Sequence, residues 1–445
     1  MDKCGLGIQW HITSNCLKKC KHCYMFDDNY KIQNCSFEEF NLMFQSISRF
    51  CRKYNFEDNY ILTGGSPLLN PYHEQIFDLL HNNNKIVNIM DIPEMINESN
   101  INKLKKYEIY ECQLSLDGLS LTHDYIRGAG SFESTLSACK KLSDNDINPS
   151  IMFTASKHNY KELIPLCNYL IKHLNKFIFS YDFVVCTKSA TFDDISVPVE
   201  CIDTLMEEYL LFANKANQQY KEICFDLKPT TYRAMMRFKN NKRISLNTKY
   251  THISGCHIGW SSICILENGD VLPCRRLPIV LGNLKQTEFE DIFLQSPLLK
   301  KFRRFNKFLE GCNDCEYSIV CKGCPAITYG ITGNCFGKYP YCFYSKKKEY
   351  EFDEKKVLNI GASNDEEVGL IRRTFDNQMR SANANDIILK NPKILKGYAI
   401  AKSTNSERIF FHNFNLWEQL YNYELKDDEQ AIIRNIFNNK ALTRD

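Results

Sequence analysis

Cys16, Cys20 and Cys23 stand in one short run, Cys16-Leu17-Lys18-Lys19-Cys20-Lys21-His22-Cys23. Three thiolates on one loop can each hold one iron of a four-iron cluster and leave the fourth iron without a protein ligand. Structural metal sites are normally closed by four protein ligands, whereas catalytic sites keep a position free. The open iron that this spacing allows is a place to bind and reduce a small molecule. Taken alone, the triplet also suits half of a zinc site completed by a distant ligand.

A second set of cysteines lies far downstream. It runs from Cys256 through Gly269-Asp270-Val271-Leu272-Pro273-Cys274 to Cys312-x2-Cys315-x5-Cys321-x2-Cys324, and ends at Cys342. Nine of the 21 cysteines fall between Cys256 and Cys342, and none follows. Lys3, Cys4, His11, Lys18 and Lys19 leave no apolar core of signal-peptide type near the start, and no apolar run has transmembrane length. The chain reads as cytoplasmic, where disulfides are disfavoured and clustered cysteines point to metal or redox chemistry. A pair of zinc ribbons is the plainer use of the downstream run. Cys51, Cys139, Cys167, Cys201 and Cys224 lie mostly among apolar neighbours and read as small buried hydrophobes. Lys+Arg 56 against Asp+Glu 53 gives +3, spread along the chain. That balance argues against a dedicated nucleic-acid or membrane-surface protein.

The elements that must position these residues follow from periodicity. A chain of 445 residues suits two or three domains. Residues 1–235 alternate strand and helix, beginning with a strand at Gly5–Thr13. Ser36-Phe37-Glu38-Glu39 is a capping box, and Phe37, Phe40, Phe44, Ile47 and Cys51 follow the helical period after it. Tyr60–Thr63 reads as a buried strand that ends in Gly64-Gly65-Ser66-Pro67. Further strands are expected at Ile86–Met90, Cys112–Leu116, Ser150–Thr154 and Phe177–Val185, with helices such as Phe132–Leu142 and Tyr160–Leu174 between them. Such repeats imply α/β architecture with parallel strands and right-handed crossovers. About six units fit, a partial (β/α)6 barrel rather than a closed eight-stranded one. Residues 245–345 are expected to have little apolar core of their own and to be held by metal. Residues 352–445 form a cysteine-free α+β extension, read as a lid or a peptide-binding module. Helices are expected there at Glu366–Arg380, Leu416–Leu425 and Asp427–Asn438, and a hairpin at Gly397–His412.

Two further motifs join the N-terminal triplet. Gly64-Gly65 ends a strand, where glycine lets backbone approach a ligand closely. Ser115-Leu116-Asp117-Gly118 and His123-Asp124-Tyr125-Ile126-Arg127-Gly128 follow another strand. Ser115 and Arg127 can reach an acidic ligand group at the strand's C-terminal end, and the arginine fork matches two carboxylate oxygens. Each alone is also consistent with a turn, or with a helix cap and a surface arginine. Together, over residues 8–130, the three motifs resemble those of the radical SAM enzymes, with His22 in the aromatic position of the cysteine signature.

The resemblance implies that Cys16, Cys20 and Cys23 hold a 4Fe-4S cluster that binds S-adenosylmethionine. Backbone at Gly64, Gly65 and Ser66 would receive the amino group of that cofactor, and Ser115 and Arg127 its carboxylate. Ser66 stands where the family usually carries an acidic residue. The downstream block resembles the SPASM domain, which carries two further four-iron clusters. Residue by residue, Cys256, Cys274 and Cys324 would hold one of them. Cys264 would be its fourth ligand, or an iron would stay free for a substrate thiol. Cys312, Cys315, Cys321 and Cys342 would hold the other, although Lys322-Gly323 makes the last spacing shorter than is usual in the family. Cys335 is left as a structural cysteine. The implied cofactors are three 4Fe-4S clusters and S-adenosylmethionine. An external one-electron donor such as flavodoxin or ferredoxin would drive cleavage to a 5′-deoxyadenosyl radical, which takes hydrogen from an unactivated C–H bond.

The resemblance further implies a maturase that acts on a ribosomally made precursor peptide and forms a cross-link, with a cysteine thioether the first expectation. A sulfatase maturase, which forms formylglycine, would place an aspartate directly after the cysteine matching Cys274. Arg275 stands there and cannot serve as a base near neutral pH. A small-molecule radical SAM dehydrogenase tends to have a shortened cysteine block. A non-catalytic iron–sulfur scaffold leaves Ser115, Arg127 and the glycine pair unexplained. With the first strand starting near Gly5, no binding domain is expected ahead of the barrel.

Overall fold

Strand β1 (Cys4–Thr13) buries Leu6, Ile8, Trp10 and Ile12 on one face, the alternation that a sheet packed under helices demands. It pairs in parallel with β2 (Phe56–Gly64), in a register that slips between His11 and Thr13. The slip falls where the chain leaves β1 for the cysteine loop. Between them, α1 (Phe37–Tyr54) starts on the expected capping box: Glu39 N donates to Ser36 Oγ and Ser36 N to the Glu39 carboxylate, each at 3.2 Å. The helix ends at Asn55, whose φ of 57° is left-handed. Its apolar stripe packs Phe40 on Trp10 with ring centroids 4.1 Å apart.

The computed structural model describes residues 4–23, 31–186, 195–229, 231, 232, 235, 256–303, 310–312, 321 and 323–342, with the backbone of short strands at Asp386–Ile388, Ala401–Ser403 and Ile409–Phe410. After β2 the repeat continues with α2 (His73–Asn82), β3 (Ile86–Met90), α3 (Glu98–Lys106) and β4 (Glu111–Ser115). Then come α4 (Ser120–Arg127), α5 (Ser131–Ser143), β5 (Asn148–Ala155), α6 (Leu163–His173) and β6 (Phe177–Phe183). A short 3-10 turn, Tyr160–Glu162, takes up the start of the helix expected from Tyr160. Strands β1 to β6 are parallel neighbours in chain order, and the three-residue β7 (Ile223–Phe225) adds to their far edge.

The sheet does not stop at the barrel. β8 (Ser262–Ile265) pairs in parallel with the free edge of β1, and β9 (Asp270–Leu272) and β10 (Gly282–Asn283) follow antiparallel. Trp260, Ile263, Ile265, Phe289 and Phe293 join the same hydrophobic core as β1 and α1. Phe50 of α1 meets the rings of Phe289 and Phe293 edge-on at 5.1 and 5.3 Å. Residues 256–303, expected to have little apolar core of their own, are thus stitched to the barrel by strand pairing and aromatic packing. Among the described residues, no helix is long and apolar enough to cross a membrane. Ala401–Ser403 and Ile409–Phe410 pair antiparallel inside the expected hairpin, and Asp386–Ile388 adds a strand that was not expected. The three helices expected in the extension lie outside the described residues, as does Cys315.

Candidate active site

The C-terminal ends of the strands surround one cavity. Thr63, Met90, Gln113, Ser115, Met152 and Thr154 turn the same sheet face to it, while Leu62, Ile89, Leu114 and Phe153 alternate with them and are buried on the other face. Cys16, Cys20 and Cys23 line its rim with His22, Gly64, Gly65 and Arg127. Of the residues singled out around the N-terminal triplet, only Ser66 is not in the wall.

The cysteine loop is pinned by the motif that follows β4. Lys21 N donates to Ile126 O at 3.0 Å, and the Lys21 ammonium sits 3.1 Å above the centre of the Tyr125 ring. Lys18 pairs with Glu94 at 2.6 Å and donates to Ser131 Oγ at 2.9 Å. Arg127 points Nη1 at Cys20 Sγ, 3.5 Å away, and Nη2 lies 3.4 Å from His22 Nε2. Burial pushes the Cys16 thiol up to about 11, so it stays protonated until a metal displaces the proton.

Asp117, which the sequence reading quoted without a role, is the hub. It is fully buried and ion-paired with Arg127 Nε, and its Oδ1 accepts from Thr154 N at 2.7 Å. Burial alone would push its carboxyl up; the charge of Arg127, helped by the Thr154 N–H, holds it below the ordinary range. Asp117 N donates to His123 Nδ1 at 2.9 Å, a bond that needs a neutral imidazole. Burial depresses His123 and His22 alike to about 4, against the pull of the Asp117 charge. The hydrogen-bonded aspartate fixes the angle at which Arg127 enters the cavity.

The glycine pair exists first for backbone. A Cβ on Gly64 would lie 1.9 Å from Thr13 O, and one on Gly65 2.0 Å from Asn15 O. Gly65 N and Ser66 N donate to these carbonyls at 2.9 and 2.7 Å, tying the end of β2 to the start of the cysteine loop. Ser66 is fully buried, and its Oγ sits 2.5 Å from Asp91 Oδ1. Asp91, directly after β3, does line the cavity, although the sequence reading passed over it. Its place at the C-terminal end of a strand was the available signal.

The opposite wall carries Asp182, Arg275 and Arg276. Arg276 is ion-paired with Asp182 and donates to Phe183 O at 3.1 Å. Arg275 donates to the Met90 sulfur at 3.1 Å, and no acid pairs with it among the described residues. Its charge reaches its neighbours. Burial, then Arg275, lowers Lys228 to about 8 and His11 to about 3.

Arg276 also connects this wall to the downstream cysteines. It lies 3.8 Å from Cys324 Sγ and feels the charges of Cys324 and Cys274. Cys256 adds to the upward shift that burial gives Cys324, which reaches about 12. Cys264 lies opposite Leu272 across β8 and β9, and burial, then Cys274, drives its thiol upward. Arg276 thus faces the charges of Cys324 and Cys274, while Cys256 acts on Cys324 and Cys264 is coupled to Cys274 and Arg275. Cys312, Cys321 and Cys342 are half-buried, and Cys335 is buried. Among the described residues, no three His, Cys, Asp or Glu side chains group so as to hold one metal ion. A four-iron cluster asks something else, a separate iron for each thiolate, and Cys16, Cys20 and Cys23 bring three thiols to the wall of one cavity.

The radical SAM superfamily signature matches residues 10–170, and that of the SPASM iron–sulfur cluster-binding domain matches residues 256–316. An AdoMet-dependent heme synthase of Methanosarcina barkeri is 26% identical over 354 residues, 77% of this chain and 97% of that one. The antilisterial bacteriocin subtilosin biosynthesis protein AlbA of Bacillus subtilis is 25% identical over 359 residues, 78% of this chain and 72% of its own. In fold, the chain is similar to Streptococcus suis SuiB bound to S-adenosylmethionine, with a TM-score of 0.59 at 17% identity over 77% of this chain and 78% of that one. Residues 10–170 thus carry a radical SAM superfamily domain and residues 256–316 a SPASM iron–sulfur cluster-binding domain, and these domains imply 4Fe-4S clusters and S-adenosylmethionine as cofactors.

Proposed function

We propose that the chain is a cytoplasmic peptide maturase, an oxidoreductase that cross-links a ribosomally made precursor through a cysteine thioether. In this reading residues 1–235 are the radical-generating barrel, residues 245–345 carry two auxiliary clusters, and residues 352–445 cover or help to bind the peptide. Cys16, Cys20 and Cys23 hold the cluster that binds S-adenosylmethionine, with Gly64, Gly65, Ser115, Arg127 and His22 around the cofactor. Cys256, Cys264, Cys274 and Cys324 hold one auxiliary cluster, and Cys312, Cys315, Cys321 and Cys342 the other. With an electron from flavodoxin or ferredoxin, the bound cofactors supply a 5′-deoxyadenosyl radical able to take hydrogen from carbon. The chain's own contribution is placement: Asp117 fixes Arg127, and Arg127 offers its fork to the cofactor's carboxylate.

The observation that carries this reading is that one cavity is walled by the N-terminal cysteines and also by Arg275 and Arg276, which directly follow Cys274. Cys274 and Cys324 would hold an auxiliary cluster beside that space; it would take up the electron released when a peptide thiol, losing its proton, joins a carbon whose hydrogen atom has gone to the 5′-deoxyadenosyl radical. The similarity to AlbA, named for bacteriocin biosynthesis, supports it. Co-expression with a cysteine-bearing precursor encoded beside the gene is the test. A mass lower by one hydrogen pair, with one fewer alkylatable thiol, is expected; an unaltered peptide contradicts the reading.

A second reading is favoured by Arg275. A guanidinium with no acidic partner among the described residues suits a substrate carboxylate, and iron porphyrins of the heme type carry carboxylate side chains. The similarity to heme synthases points the same way. Anaerobic incubation with carboxylate-bearing iron porphyrins, read by mass, separates the two. A changed macrocycle supports this reading, and an unchanged one removes it.

A further inference from the structure

The turn after β2 lacks the acidic side chain usual among the radical SAM enzymes, because Ser66 occupies its place. The structure brings another carboxylate to the same corner. Asp91 lines the cavity together with Gly64, Gly65 and Cys16. It is held from behind by Ser66 Oγ at 2.5 Å and Ile92 N at 2.7 Å on Oδ1, and by Leu68 N at 3.2 Å on Oδ2. All three donors are neutral, and no lysine, arginine or histidine pairs with Asp91 among the described residues. A buried carboxylate without a countercharge is strongly disfavoured unless a cation comes to it. Burial accordingly pushes the Asp91 carboxyl up to about 7, against hydrogen bonds that favour its ionised form.

We propose that Asp91 supplies the carboxylate missing at position 66 and accepts a hydrogen bond from the α-amino group of S-adenosylmethionine, with Ser66 as the positioning residue that orients it. The proposal rests on the reading that the cofactor binds in this cavity. Its chemistry is binding only, so no reductant is needed to test it.

Equilibrium dialysis on anaerobically reconstituted protein is the experiment, with S-adenosylmethionine and its analogue bearing hydrogen in place of the α-amino group. Asp91→Asn should weaken binding of S-adenosylmethionine about tenfold or more, the usual weight of a charge-assisted hydrogen bond. The analogue should bind wild type and D91N alike. Ser66→Ala should show the same selectivity with a smaller loss. Unchanged affinity for S-adenosylmethionine in D91N overturns the proposal, as does an equal loss for both ligands. If D91N fails to take up iron, the wild type still decides, because equal affinity for the two ligands overturns the assignment. A wild type that binds the analogue alone leaves no role for Asp91, and one that binds neither removes the cofactor reading as well.

Discussion

The two walls of the cavity differ in how their charges are settled. On the wall built by residues 16–127, Arg127 is paired with buried Asp117, Lys18 with Glu94, and both His22 and His123 are neutral. Asp91 is the exception. On the wall contributed from beyond Cys274, Arg276 is paired with Asp182, but Arg275 meets only a methionine sulfur. A wall whose charges are paired within the chain is organised before any ligand arrives, the arrangement that holds a fixed cofactor in one pose. A guanidinium left unpaired is a demand on whatever enters next. In the proposed reading the first wall holds the cofactor, with Asp91 waiting for its amino group, and Arg275 faces the substrate.

The comparison breaks hardest at Gly65. A Cβ there would overlap the Asn15 carbonyl, at 2.0 Å from oxygen and 2.4 Å from carbon, and backbone cannot rotate away. Gly65→Ala should lose at least about 3 kcal/mol of stability and release the cysteine loop, read as a lower thermal midpoint and a lost cluster absorbance. Arg127→Ala comes next. It strands Asp117 as a buried unpaired charge, which costs about 3 kcal/mol. Arg127→Lys should recover part of that stability but not the affinity for S-adenosylmethionine, since the fork is gone. Arg275→Gln should do least to the fold, within about 0.5 kcal/mol, because no buried partner is abandoned. Its effect should fall on substrate, with KM raised about tenfold and affinity for S-adenosylmethionine unchanged. A fall in cofactor affinity for R275Q would erase the distinction between the walls.

Much of the first wall was legible because its signals are local. The capping box at Ser36 and Glu39, the alternation of β1, and the spacing of Cys16, Cys20 and Cys23 are all written within short windows. Arg127 was tied to the cofactor's carboxylate only by resemblance, and the structure places its guanidinium 3.5 Å from Cys20 Sγ. The second wall was less legible because its geometry is long-range. No local pattern tells Ser262–Ile265 to pair with Gly7–Trp10, yet that pairing carries Cys264, Cys274 and Arg275 to the barrel. Arg275 entered the sequence reading only as a missing base, since its place on the cavity wall depends on that sheet. Asp91 and Asp117 are single acids after strands, a position that suggests a site without naming a partner.

The central claim is that Cys16, Cys20 and Cys23 present an iron with an open position to S-adenosylmethionine. The direct measurement is 5′-deoxyadenosine released by anaerobically reconstituted protein given dithionite. The account predicts release from the wild type and none from the variant with all three cysteines replaced by alanine, whose iron content should fall by about four atoms per chain. Silence from a fully reconstituted wild type, or undiminished release from the variant, would contradict it.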